Sequence, residues 1–434
     1  MLGVYQRPRG TRDYLPQDSA KRRKVTEIFR RVFELYGYGE VITPALEYLE
    51  LLEAKAGPEV REQIYWFEDK AGRKLGLRFE LTTSVARVVA ERRDLPKPIK
   101  FYYIQPVWRY EEPQRGRLRE FWHAGIEFMG TKSSAADAEV VAVAARALKS
   151  AGVDDVIVRV NSRKIAEGLA DKYRVEQSKR EDFFRILDKL EKTGSEFVAE
   201  ELCKFGLGRD EAREVVEFAT MSGESEEKLG RARELLRESE RGLEGVREVS
   251  EVVEILEGSY AMGDEVVVDF GIVRGLGYYT GFVFEISSRG VPDVGSLAGG
   301  GRYDDLVRVV GGYDLPATGM SIGVERVIEV LEQKRAFESI AYRPAKVLVA
   351  PIGSELFGEA VRISERLRDE GIPVLLDPSR FKLRSLLDYA DRIGVDYVVI
   401  VGERELREGK VVLRDMRSWT QEVLSLDDLA KRLK

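Results

Sequence analysis

The sequence predicts an α+β protein with three parts: a large part built on an antiparallel sheet, a helical subdomain inserted in it, and a small C-terminal α/β domain. Three observations predict this. Apolar runs bounded by glycine-rich punctuation, with most of the aromatic residues, fill residues 1 to about 330 outside one stretch. That stretch, from about Tyr173 to Gly258, is strongly charged, free of proline and apolar at helical spacing, as in Phe183, Ile186, Leu187 and Leu190. Beyond Pro344, short apolar runs alternate regularly with amphipathic ones.

The bulk numbers bound the class. At 434 residues the chain is too long for one ordinary core, and 44% hydrophobic with 34% charged residues is a globular composition. The single cysteine, Cys203, excludes an internal disulfide and a four-Cys or Cys/His zinc site. The polar start, with Arg7-Pro8-Arg9-Gly10, does not read as a signal peptide, and no run of about 18 apolar residues exists to span a bilayer. A soluble, cytoplasmic protein without membrane contact is expected. The net charge of −6 argues against a protein that simply coats nucleic acid, but basic loops can still bind phosphate on an acidic body. The dense charge fits either a thermophile's ion-pair networks or an ordinary solvated surface.

Taken in order, Phe101 to Trp108 and Phe121 to Gly130 read as two strands turned at Pro113 and Gly116. Val156 to Val160 is a strand, and the helical stretch follows it. Val266 to Phe270 and Phe282 to Ile286 are strands that Gly277 to Gly281 would join as a hairpin. Gly319 to Ile322 leads into a helix that opens near Gly323 and ends near Arg335. In the last part, strands at 346–350, 372–376, 397–401 and 411–413 and helices at 355–370, 383–393 and 426–433 give a βαβαββα order.

Four segments carry candidate chemistry. The loop Trp108 to Phe121 holds Arg109, Arg115 and Arg117, and guanidinium groups suit polyphosphate because they are always charged and bind oxygens bidentately. Charge alone reads equally as a hairpin with a solvated basic tip. In Asp269 to Gly281, Arg274 lies among glycines that permit close approach to a ligand, or is a turn residue; Tyr278 and Tyr279 would face opposite ways in a strand. Gly299-Gly300-Gly301 is either a close-approach surface or a surface turn. Arg326 sits in the first turn of a helix, where an anion site forms readily. Neither a Rossmann fingerprint nor a P-loop is present.

Together these segments resemble the catalytic domain of class II aminoacyl-tRNA synthetases. Phe33 to Pro44 is similar to that class's first motif, a helix and strand at a dimer interface; Arg109 to Glu127 is similar to the second, and Gly319 to Arg326 to the third. Arg274 to Thr280 and Gly300 to Tyr303 resemble two signatures of the histidyl-tRNA synthetases. The C-terminal α/β part resembles their anticodon-binding domain. The domains implied are 1–172 with 259–335 as catalytic, 173–258 as a helical insertion and 345–434 as anticodon-binding.

The resemblance implies roles. Arg109 would hold the ATP α-phosphate, Arg117 another phosphate, and Arg326 the far end of the triphosphate while stacking on adenine. Glu111 would read the adenine edge. Glu80 and Thr82 would bind the histidine amino group; Glu127, Tyr278, Tyr279 and Tyr303 would surround the substrate, with Glu127 and Tyr279 on the imidazole. Arg274 would act, with Arg109, as the cation at the reacting carboxylate and α-phosphate. Gln114 and Arg115 would meet the acceptor stem of tRNA(His). ATP, Mg²⁺ on its phosphates, histidine, tRNA(His) and a homodimer are implied; no protein metal site is. Three positions depart from the family pattern. His123, the only histidine, replaces a glutamine near the bound amino acid, Gly277 an aspartate, and Glu112 an arginine. His123 is either a structural hydrogen-bonding residue or a contact to the adenylate that makes activity pH-sensitive. The alternative function is a histidine-binding regulatory subunit of ATP phosphoribosyltransferase. Such paralogues typically lack the C-terminal domain and erode the arginines, and this chain keeps both. A synthetase for glycine, threonine or proline and a non-catalytic nucleic-acid-binding module fit less of the pattern.

Overall fold

The computed structural model describes residues 5–54, 58–113, 117–273, 278–337 and 344–434, in two compact units, 1–339 and 340–434. The first unit is built on an eight-stranded sheet. Its spine is the hairpin of Ile99–Trp108 and Glu120–Met129, in register from Ile99↔Met129 to Trp108↔Glu120. Ala317–Gly323 pairs with Glu120–Met129, and Ala298–Arg302 and Phe282–Ser288 follow. These inner pairs are antiparallel, as expected. The edge pairs are parallel: Gly39–Glu40 beside Ile99–Trp108, and Val266–Val268 beside Val156–Ser162.

The hairpin expected from Gly277 to Gly281 does not form. Val156–Ser162 lies between the two segments, parallel to Val266–Val268 and antiparallel to Phe282–Ser288. The connection is too long for a tight turn, and it buries Phe270, Ile272, Val273, Tyr278 and Tyr279.

Helices cover one face of this sheet. Pro16–Leu35 starts with proline at its first position, where the missing N–H costs nothing, and buries Val25, Phe29, Val32 and Phe33 as one stripe. Ser134–Ala151 is capped by the Ser133 side chain and ends on Gly152 in the left-handed conformation. The charged stretch folds as a run of helices from Arg180 to Gly258. Its last helix, Glu240–Gly258, lies against Arg163–Lys172. A Cβ on Gly168 would stand 2.5 Å from the Gly242 Cα, so bare backbone at this crossing lets the helices approach. A three-stranded sheet of Leu46–Tyr48, Trp66–Glu68 and Lys74–Leu77 completes the unit.

The C-terminal unit carries a five-stranded sheet in the order Val374–Leu376, Val347–Pro351, Tyr397–Val401, Lys410–Asp415, Gln421–Ser425. The first three strands are parallel and the last two antiparallel. The expected βαβαββα order lacked Gln421–Ser425 and the short helix Glu403–Arg407. The missed strand is an edge with no fully buried side chain, so it gives no core signal. Among the described residues, no helix is long and apolar enough to cross a membrane.

Candidate active site

Strand alternation puts the site on the sheet face opposite the long helices. One row across the sheet is Phe101, Glu127, Gly319 and Gly301; the next is Tyr103, Gly125, Ser321 and Gly299. With large side chains on Ile99–Trp108 and Glu120–Met129 and small ones on the neighbouring strands, the sheet is hollowed into a cleft of about 490 Å³. Gly299 to Gly301, open between a turn and a close-approach surface on sequence alone, form a fully buried central strand.

At the cleft's closed end lies Glu127, about 1% exposed. The Tyr103 hydroxyl donates to it at 3.2 Å, and the Tyr303 hydroxyl donates to its other oxygen. Burial, aided by the nearby Glu80 charge and opposed by these hydrogen bonds, pushes its carboxyl up to about 8. Tyr103, Tyr278 and Tyr303 are buried beside it, and burial raises their phenols well above the ordinary range. Tyr278 and Tyr279 are not in a strand; their rings pack together at 4.8 Å, so they do not point to opposite faces. Glu80 sits where helix Thr82–Glu91 begins and accepts from the amides of Thr82 and Thr83. It is thus a helix-end cap as well as a cleft wall, and Thr82 lines the cleft next to it.

The other end is cationic. Arg109 continues the hairpin, its amide donating to the Arg119 carbonyl and its Nε to the Phe79 carbonyl at 3.1 Å. Its guanidinium lies 5.3 Å from the Phe121 ring centroid. Arg326 projects from the first turn of helix Val324–Gln333 and donates to the Ser296 carbonyl. Burial, then the charges of Arg117 and Arg109, lower its guanidinium below the ordinary range. Three like charges converging in one wall make an anion site. Glu111 and Phe121 complete that wall. His123 stands between the ends, buried, with no described partner for Nδ1. Burial, Arg109 and Arg326 hold its imidazole well below the ordinary range, so it is neutral near pH 7. The charge change that would make activity pH-sensitive is moved out of the neutral range.

The expected residues Glu80, Thr82, Arg109, Glu111, Arg117, His123, Tyr278, Tyr279, Tyr303 and Arg326 thus line one cleft, and Glu127 lies behind its tyrosines. Arg274, Gln114, Arg115 and Gly277 lie outside the described residues. Sequence reasoning missed Tyr103. The signal was there in the hairpin register: Tyr103 pairs with Gly125, and its phenol fills the space a side chain would occupy. It also missed the buried pair behind Tyr303. Arg302 meets Asp137 at 2.7 Å and Asp304 at 3.1 Å, and donates to the Thr131 carbonyl at 3.0 Å.

A family model described as Histidyl-tRNA synthetase matches residues 10–327, and one described as Anticodon binding domain matches 346–434. The chain belongs to the histidyl-tRNA synthetase family. Among its relatives in that family, it is 40% identical over 432 residues to the histidine–tRNA ligase of Pyrococcus furiosus, covering 99% of each chain. It is 42% identical over 416 residues to that of Thermococcus kodakarensis, covering 95% of this chain and 94% of the relative. The crystal structure of histidyl-tRNA synthetase from Nostoc sp. PCC 7120 superposes with a TM-score of 0.83 at 28% identity, over 99% of this chain and 98% of that one. Histidyl-tRNA synthetase membership accounts for both the antiparallel catalytic sheet and the separate α/β unit.

Proposed function

We propose that this chain is a histidine–tRNA ligase that activates histidine with ATP and transfers it to the 3′ end of tRNA(His). The observation that carries the reading is the polarity of the cleft: three guanidinium groups at one end, and a buried carboxylate ringed by tyrosines at the other. The full-length relatives and the anticodon-binding match support the ligase over a histidine-binding regulatory subunit.

In the first step the histidine carboxylate oxygen attacks the ATP α-phosphorus. A new P–O bond forms, the bond to the β-phosphate oxygen breaks, and pyrophosphate leaves. Two anions meet in this step, so fixed cations must offset their repulsion. We assign Arg109 to the α-phosphate, Arg117 and Arg326 to the remaining phosphates, and Arg274 to the reacting carboxylate. Glu111 reads the adenine edge. Glu80 and Thr82 take the ammonium group. The imidazole offers a donor and an acceptor, which Glu127 and Tyr279 match, with Tyr278 and Tyr303 closing the pocket. Such a site rejects apolar amino acids strongly, because its buried polar groups would go unpaired. In the second step a terminal hydroxyl of the tRNA attacks the activated carbonyl and AMP leaves. Gln114 and Arg115 are assigned to the acceptor stem.

Among the described residues, no group of three or more His, Cys, Asp or Glu side chains is placed to hold a metal. Mg²⁺ is assigned to the nucleotide, where it would be held largely by phosphate and water oxygens and share the phosphate charge. In this reading residues 1–172 and 259–335 carry the chemistry, 173–258 form an insertion, and 345–434 read the anticodon. A homodimer is supported by exposed apolar side chains in and just after the first motif, Ile42, Leu46 and Tyr48. We place its work in the cytoplasm, with the translation machinery.

The test is ATP–pyrophosphate exchange with each amino acid in turn, beside the Arg274→Ala variant. Exchange with histidine alone, lost in the variant, is the expected result. Histidine binding without exchange would replace the ligase with the regulatory reading.

A further inference from the structure

One cation in the cleft wall comes from outside the sheet and its motifs. Lys192 lies in the short helix Leu190–Thr193 of the charged helical stretch, yet its side chain lines the cleft with Arg109, Arg117 and Arg326. Three contacts dock this helix. Leu190 is buried, with its Cδ2 3.6 Å from where a Cβ on Gly271 would stand. Glu191 pairs with Arg159 of the sheet at 2.9 Å, and Arg159 also reaches Glu285 at 3.3 Å and Asp269 at 3.6 Å. Glu285 in turn interacts with Arg326. The ion pairs from Glu191 through Arg159 to Glu285, whose charge acts on Arg326, put the helix on the Arg326 side of the cleft. Lys192 is exposed, and no described carboxylate is paired with its ammonium group, although many neighbouring charges on the helical stretch are paired.

We propose that Lys192 is a further ligand for the polyphosphate end of ATP and for the leaving pyrophosphate, supplied by the helical stretch. This rests on the reading that the cleft binds ATP. A lysine suits the role because an ammonium on a flexible stem can follow pyrophosphate as it departs, whereas the buried arginines hold one geometry. The ion pairs of Arg159 then do more than tie helix to sheet: they set the distance between Lys192 and the arginine wall.

The experiment uses the full chain, with Lys192→Ala and Lys192→Arg. In ATP–pyrophosphate exchange at low salt, Lys192→Ala raises the KM of both ATP and pyrophosphate about fivefold, as fits a partly screened charge contact. The histidine KM stays within about twofold, which also reports an intact fold, and Lys192→Arg restores most of the loss. The effect shrinks as salt is added. Unchanged KM values for ATP and pyrophosphate beside a normally exchanging wild type overturn the proposal. So does a defect confined to transfer from preformed adenylate to tRNA, which would move Lys192 to the tRNA 3′ end. A wild type without histidine-dependent exchange would instead sink the assignment of function itself.

Discussion

Replacing Gly319 by alanine tests whether the sheet was cleared to seat Glu127. The added Cβ would lie 1.9 Å from Glu127 Oε2, 2.7 Å from the Ile126 carbonyl oxygen and 2.8 Å from the Tyr303 hydroxyl. Restoring ordinary contact requires the carboxylate to retreat by about 1.5 Å, against hydrogen bonds from two tyrosines. Overpacking of this kind costs about 1–3 kcal/mol of stability. A recognition group displaced by more than about 1 Å loses on the order of 100-fold in rate. The expected result is a fall of that order in kcat/KM for histidine in pyrophosphate exchange, with the ATP KM within about twofold. Gly323→Ala on the same strand is the control, since its Cβ would find nothing nearer than 3.7 Å. Its thermal unfolding should match wild type, whereas Gly319→Ala unfolds earlier. Wild-type histidine kcat/KM in a folded Gly319→Ala variant would refute the assignment of this corner to substrate recognition.

Three further outcomes follow from the same site. Glu127 has its carboxyl raised from 4.5 to about 8, so the free protein holds that proton near pH 7 and its contribution to stability is full below about 4.5 and lost as pH rises through about 8. Glu127→Gln should flatten this fall in the unfolding free energy, and calorimetry in buffers of different ionisation enthalpy should show the wild type releasing a proton when histidine binds; no release would contradict the raised carboxyl. His123 has the opposite sign: its imidazole is depressed from 6.5, so its contribution is present above that pH and lost as pH falls, and His123→Gln should move acid unfolding to lower pH while leaving the exchange rate between pH 7 and 8 unaltered in its pH dependence. Asp137→Ala leaves the Arg302 guanidinium, 2% exposed, without its shortest ion pair and should cost about 3–5 kcal/mol in denaturant titration, raising the histidine KM through Tyr303; a loss under about 1 kcal/mol would mean that Asp304 suffices.

What could be read from the sequence was what is local. The hairpin of Ile99–Trp108 and Glu120–Met129 is long, apolar and turned by proline and glycine, so its strands were legible nearly to the residue. Helix Leu383–Ile393 announces itself by one apolar face. The place of Val156–Ser162 between Val266–Val268 and Phe282–Ser288 was not legible, because that strand is distant in sequence and either pairing satisfies the same apolar pattern. Gln421–Ser425 escaped because an edge strand needs no buried face. In the site, arginines between glycines were visible as chemistry, whereas Tyr103 looked like core until Gly125 was placed opposite it.

The two ends of the cleft are perturbed in opposite senses, and that constrains how a substrate lies in it. Glu127 is raised by burial and by Glu80; Arg326 is lowered by burial and by Arg117 and Arg109, against the smaller opposing charges of Glu285 and Glu111. A ligand of the right sign would offset the charge part of each shift. Under the proposed function, a histidine zwitterion would relieve the first with its ammonium and imidazole toward Glu80 and Glu127, which would turn its carboxylate toward Arg109. ATP would relieve the second, with its phosphates among the guanidiniums. The carboxylate and the phosphates would then meet between the ends, beside His123, whose neutral ring adds no charge there. The reverse histidine orientation would bury its carboxylate against Glu127 and leave the first perturbation in place. Under the proposed function, the electrostatics of the cleft therefore favour the orientation in which the carboxylate can attack.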